Sequence, residues 1–222
     1  MKPEIILALD VPSFPRAKYL VYKLYPKIKI FKVGLQLFTA SGPQVIEMVH
    51  KKGARVFLDL KLFDIPNTVA QAVRQAVRYK VKMLTLHIAG GQEMLKAAVD
   101  ASRDEARKLK TQRPLLIGVT VLTSKKARAQ DVLRLAKTGI DSGLDGVVCS
   151  AQEAGYLRNR LKRKFLIVTP GIRPKGALKA DQKRTATVKE AIRQGSNFLV
   201  IGRPILEAKD PLKAAQALSY LA

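Results

Sequence analysis

Eight short runs of apolar and β-branched residues alternate with longer amphipathic stretches along this chain, and that rhythm limits its fold more than any other feature. The runs are 4–10, 28–34, 54–60, 81–87, 114–122, 144–150, 164–170 and 197–202. Between them lie helical patterns. The stretch 68–80, for example, puts Val69, Ala72, Val73, Ala76 and Val77 on one apolar stripe. Near-continuous hydrophobic strands alternating with amphipathic helices predict a parallel sheet covered by helices. Eight such units in 222 residues predict an α/β fold of the (β/α)8 TIM-barrel type, a single domain over 1–222. An open doubly wound sheet is the alternative, but no G-x-G-x-x-G follows the first run. No linker or low-complexity segment divides the chain.

In such barrels the active site gathers at the carboxyl ends of the strands. Those ends carry Asp10, Lys32, Asp59 with Lys61, His87, Thr120 with Thr123, Arg173, and Gly202 with Arg203. The densest is VFLDLKLFDIPNTV, 56–69. Residues two apart on a strand share a face, so Asp59 and Lys61 are expected to project together, with Asp64 just beyond in a loop before Pro66. Burying two acids around one lysine is unfavourable unless the charges are paired. The last run ends in IGRPI, where Gly202, the Arg203 amide and its guanidinium form an anion site, with Pro204 suited to the first helical position. Before it, 174–184 is polar and contains Gly176 and Gln182; its composition suits equally a mobile loop that closes over a phosphate, with Gln182 as a donor, and a disordered basic loop.

Several residues have plainer readings. His87 supports the barrel mouth through hydrogen bonds, Cys149 is a buried small hydrophobe, Thr120 belongs to the barrel wall, and Gly90-Gly91 is a turn. Asp131, Asp141 and Asp145 read as capping or solvent-facing.

The net charge of +24, from 41 Lys and Arg against 17 acids, suggests affinity for anions. The basic residues are spread out, however, including 158–164 and Arg74, Arg78, Lys80 and Lys82, and read as solvated faces. No aromatic-and-basic RNA motif or zinc finger accompanies them, so no specific nucleic-acid partner is expected. His50 and His87 lie too far apart for zinc-ligand spacing. No apolar run is long enough to span a bilayer, and Met1 leads straight into a strand-like run, so neither membrane insertion nor a signal peptide is expected. The single cysteine suits a reducing cytoplasm.

The segments LALDV, FKVG, FLDLKLFDIPNTV, VTVLTS, VTPGIRP, ADQKR and VIGRPI, in this order and spacing, resemble the orotidine 5′-monophosphate decarboxylase family over 7–205. D-x-K-x-x-D is shared with related sugar-phosphate enzymes on this fold, whereas I-P-N-T joined to the late Gln and G-R-P-I is more specific. Phe63 stands where many members have His, Ala180 where Gly commonly precedes D-Q, and Val188 where Pro often follows Thr. The resemblance implies decarboxylation of orotidine 5′-monophosphate (OMP) to uridine 5′-monophosphate (UMP) in de novo pyrimidine biosynthesis, with no metal or organic cofactor.

It further implies that Lys61 stands beside C6 of the pyrimidine, in a charge array with Lys32, Asp59 and Asp64. Asp10 and Lys32 match ribose contacts and Thr123 a pyrimidine contact. Arg173, Gln182, Gly202 and Arg203 match the phosphate site. Asp64, Ile65 and Thr68 match residues that reach into a partner's site, which implies a homodimer. A Mg2+-dependent sugar-phosphate lyase and a basic nucleic-acid-binding scaffold are the competing readings.

Overall fold

The computed structural model describes residues 3–122, 127–174 and 185–221. The strands are β1 Glu4–Ala8, β2 Ile30–Gly34, β3 Arg55–Leu62, β4 Met83–His87, β5 Leu115–Val119, β6 Gly146–Val148, β7 Leu166–Thr169 and β8 Phe198–Ile201. They pair in sequence order as one closed parallel barrel, with β8 returning to β1. The helices are α1 Phe14–Leu24, α2 Leu35–Ser41, α3 Gln44–Lys51, α4 Pro66–Arg78 and α5 Gly91–Lys108. They continue as α6 Ala129–Asp141, α7 Ala151–Arg160, α8 Val188–Arg193, α9 Arg203–Leu206 and α10 Pro211–Tyr220. A 3-10 turn, Ile88–Gly90, precedes α5. Among the described residues no helix is long and apolar enough to cross a membrane.

Alternation along the strands builds two cores. Inward residues such as Ile6, Ile30, Phe57, Met83, Ile117, Val168 and Phe198 fill the barrel. Outward residues such as Leu7, Phe31, Leu58, Leu84 and Leu86 meet the helices. Each fully buried large side chain contributes roughly 1.5–3 kcal/mol. The eight expected strands are all present, mostly shorter than the apolar runs because the runs continue past the ladder. The exception is β3, which extends to Leu62.

Pro66 ends the strand's approach and starts α4. A residue before proline is held extended, as Ile65 is at φ −59° and ψ 152°. Pro204, by contrast, is the second residue of α9, after Arg203.

Some charges expected on solvated faces are structural. The Arg158 guanidinium donates to the Gly195 and Phe165 carbonyls and to Asn197 Oδ1, tying α7 to the start of β8. Arg74 and Arg78 of α4 converge on the buried Glu105 of α5, at 3.4 and 2.7 Å. Asp145, expected as a cap or solvent-facing acid, takes a two-pronged contact from Arg113 at 2.7 Å and accepts the Leu116 N–H at 2.8 Å. It links the entrances of β5 and β6.

Candidate active site

Above the barrel's apolar interior, at the carboxyl ends of the strands, lies a cavity of about 650 Å³. Ala8, Phe57, Val168 and Val200 belong both to its lining and to the inner core. On the β1–β3 side four charges alternate. Lys32 Nζ stands 2.9 Å from Asp10 Oδ1 and 3.4 Å from Asp59 Oδ2, and Lys61 Nζ stands 2.9 Å from the same Asp59 oxygen. Thr85 donates to the other oxygen, Asp59 Oδ1, at 3.0 Å.

Burial and charge decide the protonation states. Burial alone pushes the Asp59 carboxyl up, but Lys32, Lys61 and the hydrogen bonds from Lys61 and Thr85 outweigh it and bring its pKa below the ordinary value. Burial likewise acts to lower Lys32, and the attraction of Asp59 and Asp10 prevails to raise it. The two groups are mutually consistent: both hold their charge at neutral pH.

Gly34 leaves space for this pairing. A Cβ there would lie 3.0 Å from Lys32 Nζ and 3.5 Å from Asp10 Oδ1, pressing a methyl into the ion pair.

Lys61 does not reach Asp59 by regular strand alternation. It has φ +52°, in the left-handed region, which for a non-glycine residue costs about 1–3 kcal/mol. The β3–β4 register shifts between Leu58 and Leu62, so a bulge aims this lysine.

On the β7–β8 side the cavity is lined by Gly171, Arg173, Gly202, Arg203 and Glu207. Burial and then the like charge of Arg203 pull the Arg173 pKa down, with Glu207 opposing. Two guanidinium groups brought together in a half-enclosed space favour an anion between them. The Arg173 N–H donates to the Ala186 carbonyl at 2.9 Å, and Ala186 donates to Gly171 at 3.2 Å. Ile172 and Ala186 form a parallel bridge, so residues on either side of 175–184 are tied together beside the cavity.

The sequence model described as "Orotidine 5'-phosphate decarboxylase / HUMPS family" matches residues 3–218. The chain belongs to this family. Orotidine 5'-phosphate decarboxylase of Moorella thermoacetica is 47% identical over 230 residues, spanning 98% of this chain and 91% of that protein. Its namesake in Dictyoglomus turgidum is 45% identical, spanning 96% of this chain and 92% of the relative. The crystal structure of orotidine 5'-phosphate decarboxylase from Lactobacillus acidophilus matches with a TM-score of 0.86 at 36% identity, covering 100% of this chain and 99% of that one.

In this member of the orotidine 5'-phosphate decarboxylase / HUMPS family, Asp10, Lys32, Asp59, Lys61, Arg173, Gly202 and Arg203 all line one cavity. Asp64, Ile65 and Thr68 are exposed and are not among its lining residues. Asp64 Oδ1 accepts the Ile65 N–H at 2.7 Å, so within one chain the array comprises Asp10, Lys32, Asp59 and Lys61. Thr123 and Gln182 lie outside the described residues. Glu207, which lines the cavity, and Thr85, which is fully buried against the array, lie outside the sequence motifs. Thr85 did leave a signal: a hydroxyl at an inward position of a strand, flanked by Leu84 and Leu86.

Proposed function

We propose that this chain catalyses the cofactor-independent decarboxylation of OMP to UMP and CO2 in de novo pyrimidine biosynthesis. The observation that carries the reading is the array itself. Lys32, Asp59 and Lys61 alternate in charge within 2.9 and 3.4 Å contacts, over an apolar floor, in a cavity that also contains an arginine pair.

Breaking the C6–carboxylate bond leaves its electron pair in an sp2 orbital at C6, outside the ring's π system. Fixed charges in a site shielded from water can stabilise that carbanion. Lys61 supports the developing charge and then transfers an ammonium proton to C6. The product is UMP, and the neutral amine regains a proton from water. Asp59 holds Lys61 charged and faces the substrate carboxylate; Lys32 keeps Asp59 ionised.

By family likeness, Asp10 and Lys32 take the ribose hydroxyls and Thr123 the pyrimidine. Arg173, Gln182, Gly202 and Arg203 take the phosphate. Phosphate binding remote from C6 supplies energy to order the reacting end. The buried Cys149 fits a cytoplasmic location.

The working unit in this reading is a homodimer, with Asp64, Ile65 and Thr68 completing the partner's site. Leu35, Phe63 and Ile65 support it: they are 57%, 61% and 66% exposed around the β2 and β3 rim, an apolar group suited to burial by a second copy. Inactive Lys61→Ala and Asp64→Ala proteins, mixed under subunit exchange, are expected to regain activity because each mixed dimer has one intact site. Absence of recovery from exchanged dimers would assign Asp64 to its own chain's site.

The overall reading is tested by following the absorbance of OMP with EDTA present. Undiminished conversion to UMP is expected. A folded protein that leaves OMP unchanged would overturn the assignment, and Mg2+-dependent turnover of a keto-sugar phosphate would replace it.

A further inference from the structure

The decarboxylation chemistry uses charged side chains and gives no task to the hydroxyl buried beside them. Thr85 is fully buried. Met83 belongs to the barrel's inner cluster while Leu84 and Leu86 face the helices, so Thr85 shares the inward face of β4. Its Oγ1 accepts the Lys61 backbone N–H at 2.8 Å and donates to Asp59 Oδ1 at 3.0 Å. The directions are forced. An amide N–H only donates, which leaves the single hydroxyl hydrogen for the carboxylate.

Both contacts fall where β3 is irregular. Leu58 pairs with Leu84 and Leu62 with Leu86, so Asp59, Leu60 and Lys61 stand opposite Thr85 alone. A bulge of this kind withdraws backbone groups from the ladder, and a buried N–H without an acceptor destabilises the fold. The Thr85 hydroxyl supplies the acceptor for Lys61, whose backbone is left-handed at φ +52°. Its hydrogen occupies Asp59 Oδ1. Asp59 Oδ2 is then directed to both ammonium groups, at 2.9 Å from Lys61 and 3.4 Å from Lys32.

We propose that Thr85 is the positioning residue of this site, holding the Lys61 backbone in its bulge and turning Asp59 so that one carboxylate oxygen serves both lysines. The inference rests on the decarboxylase reading and deepens it. Thr85 is not among the cavity-lining residues, so it acts through Asp59 and Lys61 rather than on substrate. The phosphate-binding end has no part in this arrangement, and the effect belongs in kcat rather than in binding.

Thr85→Val keeps the β-branched shape and removes the hydroxyl; Thr85→Ser keeps the hydroxyl. Steady-state turnover of OMP, together with inhibition by UMP, separates chemistry from binding. A misplacement near 1 Å lowers a rate by about 10²-fold. Thr85→Val should accordingly lose about 10²-fold in kcat, with KM and the UMP inhibition constant within about threefold of wild type. Thr85→Ser should recover kcat to within about threefold.

A Thr85→Val protein with a lower melting temperature but wild-type kcat would make Thr85 merely structural and overturn the inference. So would a rise in KM at unchanged kcat. Should Thr85→Val fail to fold, Thr85→Cys, with a weaker hydrogen-bonding thiol, carries the test: a reduced kcat supports the role and a full kcat overturns it. Wild-type protein without turnover would overturn the decarboxylase reading together with this one. Active wild type beside equally fast Thr85→Val overturns only the role of Thr85.

Discussion

Lys61→Ala is expected to lower kcat for OMP by about 10⁵-fold or more, while the protein stays folded. Two losses multiply. A positioned proton donor contributes at least ~10²-fold, and a charge near 4 Å from a developing anion, at an effective dielectric of about 20, contributes ~4 kcal/mol, or ~10³-fold. Ground-state binding should change in a way that depends on the ligand. With Lys61 gone, the proposed mechanism leaves Asp59 facing the substrate carboxylate with only Lys32 beside it, so OMP should bind more weakly. UMP has no such carboxylate, so its inhibition constant should move less. Lys61→Arg should not restore the rate, because a guanidinium is a planar, far weaker acid. Steady-state kinetics on the purified variants provides the check. Loss confined to KM would remove Lys61 from the chemical step.

Asp59→Asn should damage both rate and stability. Removing one partner of a buried ion pair costs about 3–5 kcal/mol, and here two lysines lose the same oxygen. The amide can no longer favour the charged form of Lys61, so kcat is expected to fall by ~10²–10⁴-fold, the range of a mistuned acid. The stability loss should depend on pH with a definite sign. Asp59 has a depressed pKa in the folded state, so its contribution is complete above its ordinary value of 3.8 and disappears as pH falls through the folded value. Lys32 has a raised pKa, so its contribution is complete below 10.5 and disappears as pH rises through its folded value. The stability gap between wild type and Asp59→Asn should be widest between these limits and narrow on either side. Urea denaturation of the two proteins at neutral pH and at successively lower pH below 3.8 measures it. A gap that widened in acid would contradict the assigned charge states.

Much of this architecture could be read from residue patterns, because a (β/α)8 barrel writes its period into the chain. All eight strands lie within or overlap the apolar runs, and β3 through β4 bracket the α4 stripe of Val69, Val73, Ala76 and Val77. The gathering of Asp10, Lys32, Asp59, Lys61, Arg173 and Arg203 in one cavity follows from strand ends alone. What escaped depends on conformation or on distant partners. The left-handed turn at Lys61 falls on a lysine, where no glycine flags it. Strand alternation predicted the right neighbour for Asp59 by an incomplete route, since a bulge intervenes. Arg158 and Glu105 look like surface charges until residues far along the chain surround them. Thr85 is one hydroxyl in an apolar run, and its meaning comes only from the residues across the β3–β4 ladder. Local patterns therefore locate the charged rim, while the precision of that rim depends on contacts no local pattern records.

If protein charge around Lys61 supports a carbanion at C6, the C6 hydrogen of the product is labile in the site. Incubating UMP with the protein in D2O and following that hydrogen by proton NMR reads this lability. In the proposed mechanism proton transfer between Lys61 and C6 runs in both directions, so wild-type protein should exchange that hydrogen for deuterium, slowly, with EDTA present, and Lys61→Ala should not. Exchange at the wild-type rate in Lys61→Ala, or none in a wild-type protein that turns over OMP, would rule out a C6 carbanion stabilised and protonated by Lys61.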